Sequence, residues 1–304
     1  MEVGMIGCGR MAAAIASNLL AAGHQLTVFS PPSEKGRDLT AIGATIAERV
    51  GDACNADAVI TVLRSDQRVE EVVLGPGGVA AAMPAAAVHI CMSTIDIELS
   101  RRLSAAHAQR VQRYLAAPVF GDADAAAKGE LCIFVAGRPG TISRCQPLFD
   151  VLGRSTVEAG RHPEDANLLQ LCAIGLVGSL VESLGESIAL ADKGGIAPER
   201  FLKLMSQSLF AGGLHAGYGA LAAVRGESSI ITVNQGRRYA ALLLDSANAL
   251  NARLPLISVL SDRLDSLMNR GLGALDWLTI ATSRNSDGSA GDSDKGGEQA
   301  EGSP

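Results

Sequence analysis

Val3-Gly4-Met5-Ile6-Gly7-Cys8-Gly9-Arg10-Met11-Ala12-Ala13-Ala14-Ile15-Ala16 is a short apolar run that breaks into Gly-x-Gly-x-x-Ala and passes straight into an alanine-rich helical stretch. In such a pattern Gly7 lets the chain turn sharply after a strand, Gly9 lets the backbone approach a diphosphate, and Ala12 keeps helix and strand close. The diphosphate would sit on the free N–H groups and positive dipole end of a helix beginning at Arg10 and Met11. Glycine-rich turns also serve as plain connectors, so the flanks carry the reading. Met11, Ile15, Leu19 and Leu20 give the helix an apolar face, Gly23 stops it, and Gln25 to Phe29 reads as a second strand.

Outward from this unit, strand-like runs recur at Ala58 to Leu63, Ala87 to Met92, Tyr114 to Ala117 and Leu131 to Ala136, with helical patterns such as Leu99 to Arg110 between the earlier ones. Alternation of this kind predicts a mostly parallel, doubly wound sheet of the Rossmann type over residues 1–160. The pattern changes near Gly160. Glu164 to Lys193 reads as one helix of about 30 residues, roughly 45 Å long, apolar almost all round and therefore expected to be buried. Gly175, Gly178 and Gly185 would let other helices approach it closely. Further helical segments at Pro198 to Ser208, Ala216 to Arg225, Asn234 to Ala252 and Leu256 to Arg270 make residues 161–282 an all-α domain. Residues 283–304 turn to Ser, Gly, Asp, Glu and Lys, the composition of a disordered tail.

Composition narrows the function. The chain has 304 residues and a net charge of −6, with Lys and Arg scattered, so no basic stripe invites nucleic acid. Six cysteines, Cys8, Cys54, Cys91, Cys132, Cys145 and Cys172, lie far apart without a C-x-x-C pair, which reads as free thiols in a reducing cytoplasm and as no metal site. The start on a strand carries no export signal. The longest apolar segment, Leu168 to Val181, contains Gln170 and Ser179 and is shorter than the ~20 residues of a membrane span.

Several further motifs occur in order: Asp57-Ala58-Val59-Ile60-Thr61-Val62-Leu63, Met92-Ser93-Thr94, Ala117-Pro118-Val119-Phe120-Gly121, Lys128-Gly129-Glu130-Leu131 and Gly271-Leu272-Gly273-Ala274-Leu275-Asp276-Trp277. Together with the glycine turn they resemble the β-hydroxyacid dehydrogenase superfamily, which includes 3-hydroxyisobutyrate dehydrogenases and imine reductases, over residues 1–282. The resemblance implies that Leu63 and Arg64 lie against the cofactor, that Ser93 and Thr94 lie near the nicotinamide, and that the long helix packs between the subunits of a homodimer. Phe120, Gly121, Asp122 and Trp277 are the expected substrate-side residues. At the end of the second strand, where NAD enzymes of this architecture place an acid for the ribose hydroxyls, the chain has Ser30, followed by Lys35 and Arg37. A serine does not repel a 2′-phosphate and Lys35 would attract one, so NADPH is expected over NAD.

Two departures bear on the chemistry. Counting back along the long helix from Glu186, the superfamily's Lys-x-x-x-Asn pair falls on Gln170 and Ile174. A carboxamide orients a partner but exchanges no proton near neutral pH. The superfamily's Ser-Gly-Gly carboxylate loop is here Phe120-Gly121-Asp122, whose ring and charge disfavour an anionic substrate, although Asp122 also suits the cap of a short helix. Alternative proton donors are His215 and Tyr218, in a stretch lining the superfamily's cleft, and Tyr239, next to Arg238, which keeps the positive charge of the superfamily's cofactor-side lysine. The expected function is NADPH-dependent reduction of a C=N or non-carboxylate carbonyl group. The alternatives are a hydroxyacid-type dehydrogenase with a relocated proton donor, and a cofactor-binding protein without turnover.

Overall fold

In the structure, a computed structural model, the described residues are 1–7, 9–30, 39–207, 231–277 and 280. Cys8, Lys35, Arg37, His215, Tyr218, the helix expected at Ala216 to Arg225 and the tail from 283 lie outside them.

The first part of the chain runs β1 (Glu2–Ile6), α1 (Arg10–Ala21), β2 (Gln25–Phe29), β3 (Thr45–Ala47), α2 (Val50–Cys54), β4 (Ala58–Thr61), α3 (Asp66–Leu74), α4 (Val79–Ala82), β5 (Val88–Cys91) and α5 (Ile97–Gln109). It continues through β6 (Arg113–Ala116), β7 (Val119–Phe120), α6 (Ala123–Ala127), β8 (Leu131–Gly137), α7 (Pro139–Leu152) and β9 (Gly153–Gly160). The strand order is β3-β2-β1-β4-β5-β6-β8-β7, with β9 also on β8. β3 to β6 pair in parallel, β8 runs antiparallel to β6 and β7, and β9 is parallel to β8. This is the expected doubly wound α/β sheet. Its short β3 and β7, and β9 with its polar alternation, carry no apolar run by which the sequence could announce them.

Side chains alternate across the sheet and feed two cores. Val3, Met5, Ala58, Ile60, Val88 and Ile90 pack with Ile15 and Leu19 of α1 and Leu148 and Phe149 of α7. Ile6, Val59 and Cys91 face the other way, onto Val69 and Val73 of α3 and Leu99 and Leu103 of α5. Cys54, Cys91 and Cys145 are buried, and burial pushes the thiols of Cys54 and Cys145 up to about 11, so they are inert packing groups. Cys172, by contrast, is exposed.

The second core also holds a polar chain. Thr61 Oγ1 and His89 Nε2 are 3.0 Å apart, His89 Nδ1 and His107 Nε2 2.8 Å, and His107 Nδ1 and Gln112 Oε1 2.8 Å. Gln112 Nε2 donates to the carbonyls of Ala80 and Met83. That fixes Gln112 Oε1 as an acceptor. Burial holds both imidazoles neutral, so His107 donates from Nδ1, His89 from Nδ1 and Thr61 from its hydroxyl, each ring in one tautomer.

The remaining elements are helical: α8 (Pro163–Lys193), α9 (Pro198–Ser206), α10 (Val233–Ala249) and α11 (Pro255–Asn269). The chain divides into two compact units, Met1–Gly175 with Ala241–Leu254, and Leu176–Ala240 with the described residues from Pro255 onward. The division between these units lies inside α8, whose first turns pack with the sheet: Ala166 joins the second core. α8 has 31 residues and is long and apolar enough to cross a membrane by that test alone, whereas the shorter apolar segment read from the sequence was not. Its first half buries Ala166, Asn167, Gln170, Leu171 and Ile174 against protein, as core helices do. The helix is not covered all round, however. Leu169, Cys172, Leu176 and Leu190 are exposed, Leu176 and Leu190 at 70% and 78%.

In the second unit Trp277 is the central core residue, 2% exposed. Residues 231–233 pair with 275–277 through Val233 N to Leu275 O and Trp277 N to Ile231 O. The indole lies against two glycines: a Cβ on Gly236 would lie 2.9 Å from Trp277 Cε3, and one on Gly178 3.4 Å from Trp277 Cζ3 and 2.6 Å from Leu260 Cδ2. Trp277, expected on the substrate side, is a buried packing residue of this unit. Arg263 Nε reaches Glu182 Oε1 at 3.2 Å in the same unit.

Candidate active site

The glycine turn has the conformation its sequence demands. Gly7 has φ +120°, and a Cβ there would lie 2.2 Å from the Val62 carbonyl oxygen, so any side chain is excluded twice over. Its N–H donates to Phe29 O, which fixes the turn against the end of β2. Gly9 is the N-cap of α1 with extended backbone and no side-chain cap, and no acidic residue stands in the first turn. The N–H groups of the first turn therefore remain available to an anion. A Cβ on Gly9 would meet nothing closer than the Arg64 guanidinium, at 3.7 Å. Arg64 is exposed, on the loop after β4, and leans over the turn. Arg10 is exposed as well and lies 3.9 Å from Asp124, a solvent-facing pair of little energy. Met11 and Ser30 are half-buried, Ser30 directly after β2.

The carboxyl ends of β4 and β5 are laced together, since Leu63 N donates to Ser93 Oγ at 2.8 Å and Ser93 Oγ lies 3.5 Å from Thr61 O. Next to this lacing stands Gln170, 1% exposed. Its Nε2 donates to Val119 O at 2.7 Å and to Thr94 Oγ1 at 3.0 Å. One side chain of α8 thus ties the segment after β5 to the start of β7. Both amide hydrogens are used, and Gln170 Oε1 is buried without a partner. Flipping the amide would set its oxygen against the Val119 carbonyl, so the orientation follows from the partners.

One turn earlier on the same helix, Asn167 is 0% exposed and neither its Oδ1 nor its Nδ2 has a partner. Sequence reasoning passed over it. The signal was present as an asparagine, a poor helix former, ahead of an apolar run.

Phe120, in β7, is half-buried and pairs with Cys132 of β8. Gly121 has φ +141° and starts the turn into α6. Asp122 Oδ1 accepts from Ala125 N at 2.7 Å, so the carboxylate caps α6. That is the structural role considered for it, and it holds the carboxylate on backbone amide. Arg238 and Tyr239 lie side by side on α10, half-buried, with the guanidinium carbon 5.9 Å from the ring centroid. They and Trp277 belong to the second unit, whereas Gly7, Gly9, Leu63, Arg64, Thr94, Phe120 and Gln170 share the first.

Comparison with known proteins gives this arrangement its family. The NAD binding domain of 6-phosphogluconate dehydrogenase, as a protein family, matches residues 2–160. An uncharacterised oxidoreductase of Bacillus subtilis, YfjR, is 35% identical over 282 residues, covering 92% of this chain and 98% of that protein. The chain belongs to the β-hydroxyacid dehydrogenase superfamily. Among solved structures, a 3-hydroxyisobutyrate dehydrogenase of Mycobacterium tuberculosis shares its fold with a TM-score of 0.82 at 22% identity, over 93% of this chain and 99% of that one. An imine reductase of a Pseudomonas species does so with a TM-score of 0.60 at 18% identity, over 93% and 98%.

This member of the superfamily is an NAD(P)-dependent oxidoreductase. The residues present fit the cofactor: a cradle at Gly9 that a Cβ would fill, unopposed N–H groups on α1, and Arg64 above them. When bound, NAD(P) supplies or removes the hydride. Gly7, Gly9 and the first N–H groups of α1 would hold its diphosphate, at the carboxyl edge of the sheet where cofactors of doubly wound folds bind.

Proposed function

We propose that this oxidoreductase reduces C=N bonds, imines or iminium ions, with NADPH. The observation that carries the reading is the state of Gln170: neutral, held by Val119 and Thr94 through both amide hydrogens, with its remaining polar atom, the acceptor Oε1, buried and unpartnered. An acceptor of this kind suits the N–H of an iminium or amine and has nothing to offer a carbonyl oxygen. Hydride delivery to a ketone creates an alkoxide that needs a proton donor in the transition state, whereas delivery to an iminium neutralises a cation and needs none at that moment. A lysine here would repel that cation; the amide does not. Any proton exchanged later falls to His215, Tyr218 or Tyr239. Arg238 keeps a positive charge for the cofactor. Asp122, though capping α6, adds negative charge on the substrate side with Phe120.

NADPH is preferred in this reading because Ser30 stands where an acid would exclude the 2′-phosphate, with Lys35 nearby in sequence. The protein works in the cytoplasm as a homodimer, joined along the exposed leucines of α8. The test is turnover of NADPH by the purified protein on a panel of cyclic imines, ketones and β-hydroxyacids. Imine reduction supports the proposal. Oxidation of β-hydroxyacids would replace it with a dehydrogenase whose proton donor has moved, and binding without turnover would make the chain a cofactor-binding protein. Ser30→Asp is expected to reverse the cofactor preference, read as the ratio of NADPH to NADH dissociation constants. Equal constants in the parent would defeat that part.

A further inference from the structure

We infer that Arg64 binds the cofactor diphosphate, its guanidinium giving paired N–H bonds from Nε and Nη2 to phosphate oxygens while the first N–H groups of α1 take others. The inference rests on membership in an NAD(P)-binding superfamily, not on the C=N reading.

Arg64 stands over the glycine turn. Its Nη2 and Nε lie 3.7 and 3.8 Å from the point that a Cβ on Gly9 would occupy, both nearer than the guanidinium carbon. The group therefore turns an edge to the glycine, not its face. That edge carries two N–H groups side by side, the arrangement that matches two oxygens of a phosphate. The backbone is fixed on both sides of Arg64: Leu63 N donates to Ser93 Oγ at 2.8 Å, and Ser65 caps α3 by accepting from Arg68 N at 3.3 Å. The side chain itself is exposed, so a ligand can reach it.

What the guanidinium lacks is an acid. Among the described residues no ion pair or hydrogen bond holds it, and the acids nearest in sequence are engaged elsewhere. Asp66 accepts from Asp96 N at 2.9 Å, Glu70 pairs with Arg102, and Glu71 pairs with Arg68 at 2.9 Å. Arg10 adds a second cation at the start of α1, facing Asp124 only at 3.9 Å. Cations at the amino end of a helix oppose its dipole, and no acidic residue of the first turn offsets them. The turn thus carries positive charge that the chain leaves uncompensated. A diphosphate answers it, whereas a ribose is uncharged and an oxidised nicotinamide is itself a cation. A 2′-phosphate belongs at the end of β2 beside Ser30, and β1 lies between β2 and β4, the strand that Arg64 follows.

Binding without turnover tests this. Dissociation constants for NAD+, NADP+ and ADP-ribose are measured by calorimetry at low and high salt, for the parent, Arg64→Gln, Arg64→Lys and Arg113→Gln. Arg113 starts β6, on the opposite edge of the sheet, and controls for a general loss of charge. Arg64→Gln is expected to weaken all three ligands by a common factor of about ten at low salt, and to make binding less sensitive to salt. Arg64→Lys keeps the charge without the paired geometry and should fall between the two, while Arg113→Gln should bind as the parent does. Unchanged affinities in Arg64→Gln overturn the proposal and leave the cofactor site standing. A loss confined to NADP+ overturns it by moving Arg64 to the 2′-phosphate, and a loss that spares ADP-ribose by moving it to the nicotinamide end. An equal loss in Arg113→Gln overturns it as well. A parent that binds none of the three overturns both this and the cofactor site.

Discussion

Gln170 combines two jobs in one side chain, a tie between segments and a neutral acceptor. Gln170→Ala removes the bonds to Val119 and Thr94 and is expected to lower stability by about 2 kcal/mol, measured by urea unfolding. The pH profile of turnover should keep its shape, because no titrating group is lost; a displaced profile would show that the amide shapes a proton transfer after all. Gln170→Lys, which sets an ammonium in the place of the amide, is expected to slow single-turnover hydride transfer to a cationic imine. An unchanged rate would mean that this position does not face the reacting atom. Asp122 separates the roles differently. Asp122→Ala removes the cap of α6 and should cost about 1 kcal/mol, while Asp122→Asn, which can still cap, restores stability yet removes the charge. A cationic substrate that binds Asp122→Asn as well as the parent would confine Asp122 to capping.

At the scale of elements, the pairing of β5 with α5 through His89 and His107 gives the fold an acid limit. Burial pushes His107 down to about 4 and His89 well below its ordinary value of 6.5, the neighbouring His107 also opposing a charge on His89. Tyr114 stacks on His107 at 5.3 Å, Gln112 favours its charged form and Arg110 opposes it. The folded state thus binds fewer protons than the unfolded chain below pH 6.5. Stability is present in full above that value and falls as pH drops through the window from 6.5 to about 4. For His107 the loss is on the order of 3 kcal/mol across the window. His107→Gln keeps a donor and an acceptor in the chain without titrating, and denaturant unfolding against pH should show a slope shallower by about one proton. Identical slopes for parent and variant would refute this account.

For the whole molecule, the exposed apolar residues of α8, Leu169, Cys172, Leu176 and Leu190, form a line along one face, interrupted between Leu176 and Leu190 by exposed Ser183, Glu186 and Ser187. Two such lines are self-complementary, which is what a two-fold interface requires. Sedimentation of the parent at micromolar concentration is expected to give a dimer. Leu176→Glu with Leu190→Glu should give a folded monomer, since both positions are already solvent-facing in the single chain. A parent that sediments as a monomer would rule the dimer out. Buried thiols of Cys54 and Cys145 should stay unreactive in either state.

The sequence by itself determined the doubly wound sheet, the long helix after it and the cofactor turn, because each is written in local terms: apolar runs of strand length, helical periodicity, and glycines where φ is positive or backbone must come close. Gly7 is the clearest case, its need visible in the motif and met at φ +120°. Short or polar strands such as β3, β7 and β9 were not legible, since they hold their place by pairing with neighbours. The tertiary structure decided what single residues do. Trp277 became core because it packs against two glycines, and Asp122 became a cap because Ala125 N lies within reach. Gln170 acquired Thr94, distant in sequence, as a partner, and Asn167 was left with both polar atoms unanswered. Burial and hydrogen-bond satisfaction are sums over residues brought together from far apart in the chain, and local sequence carries no record of them.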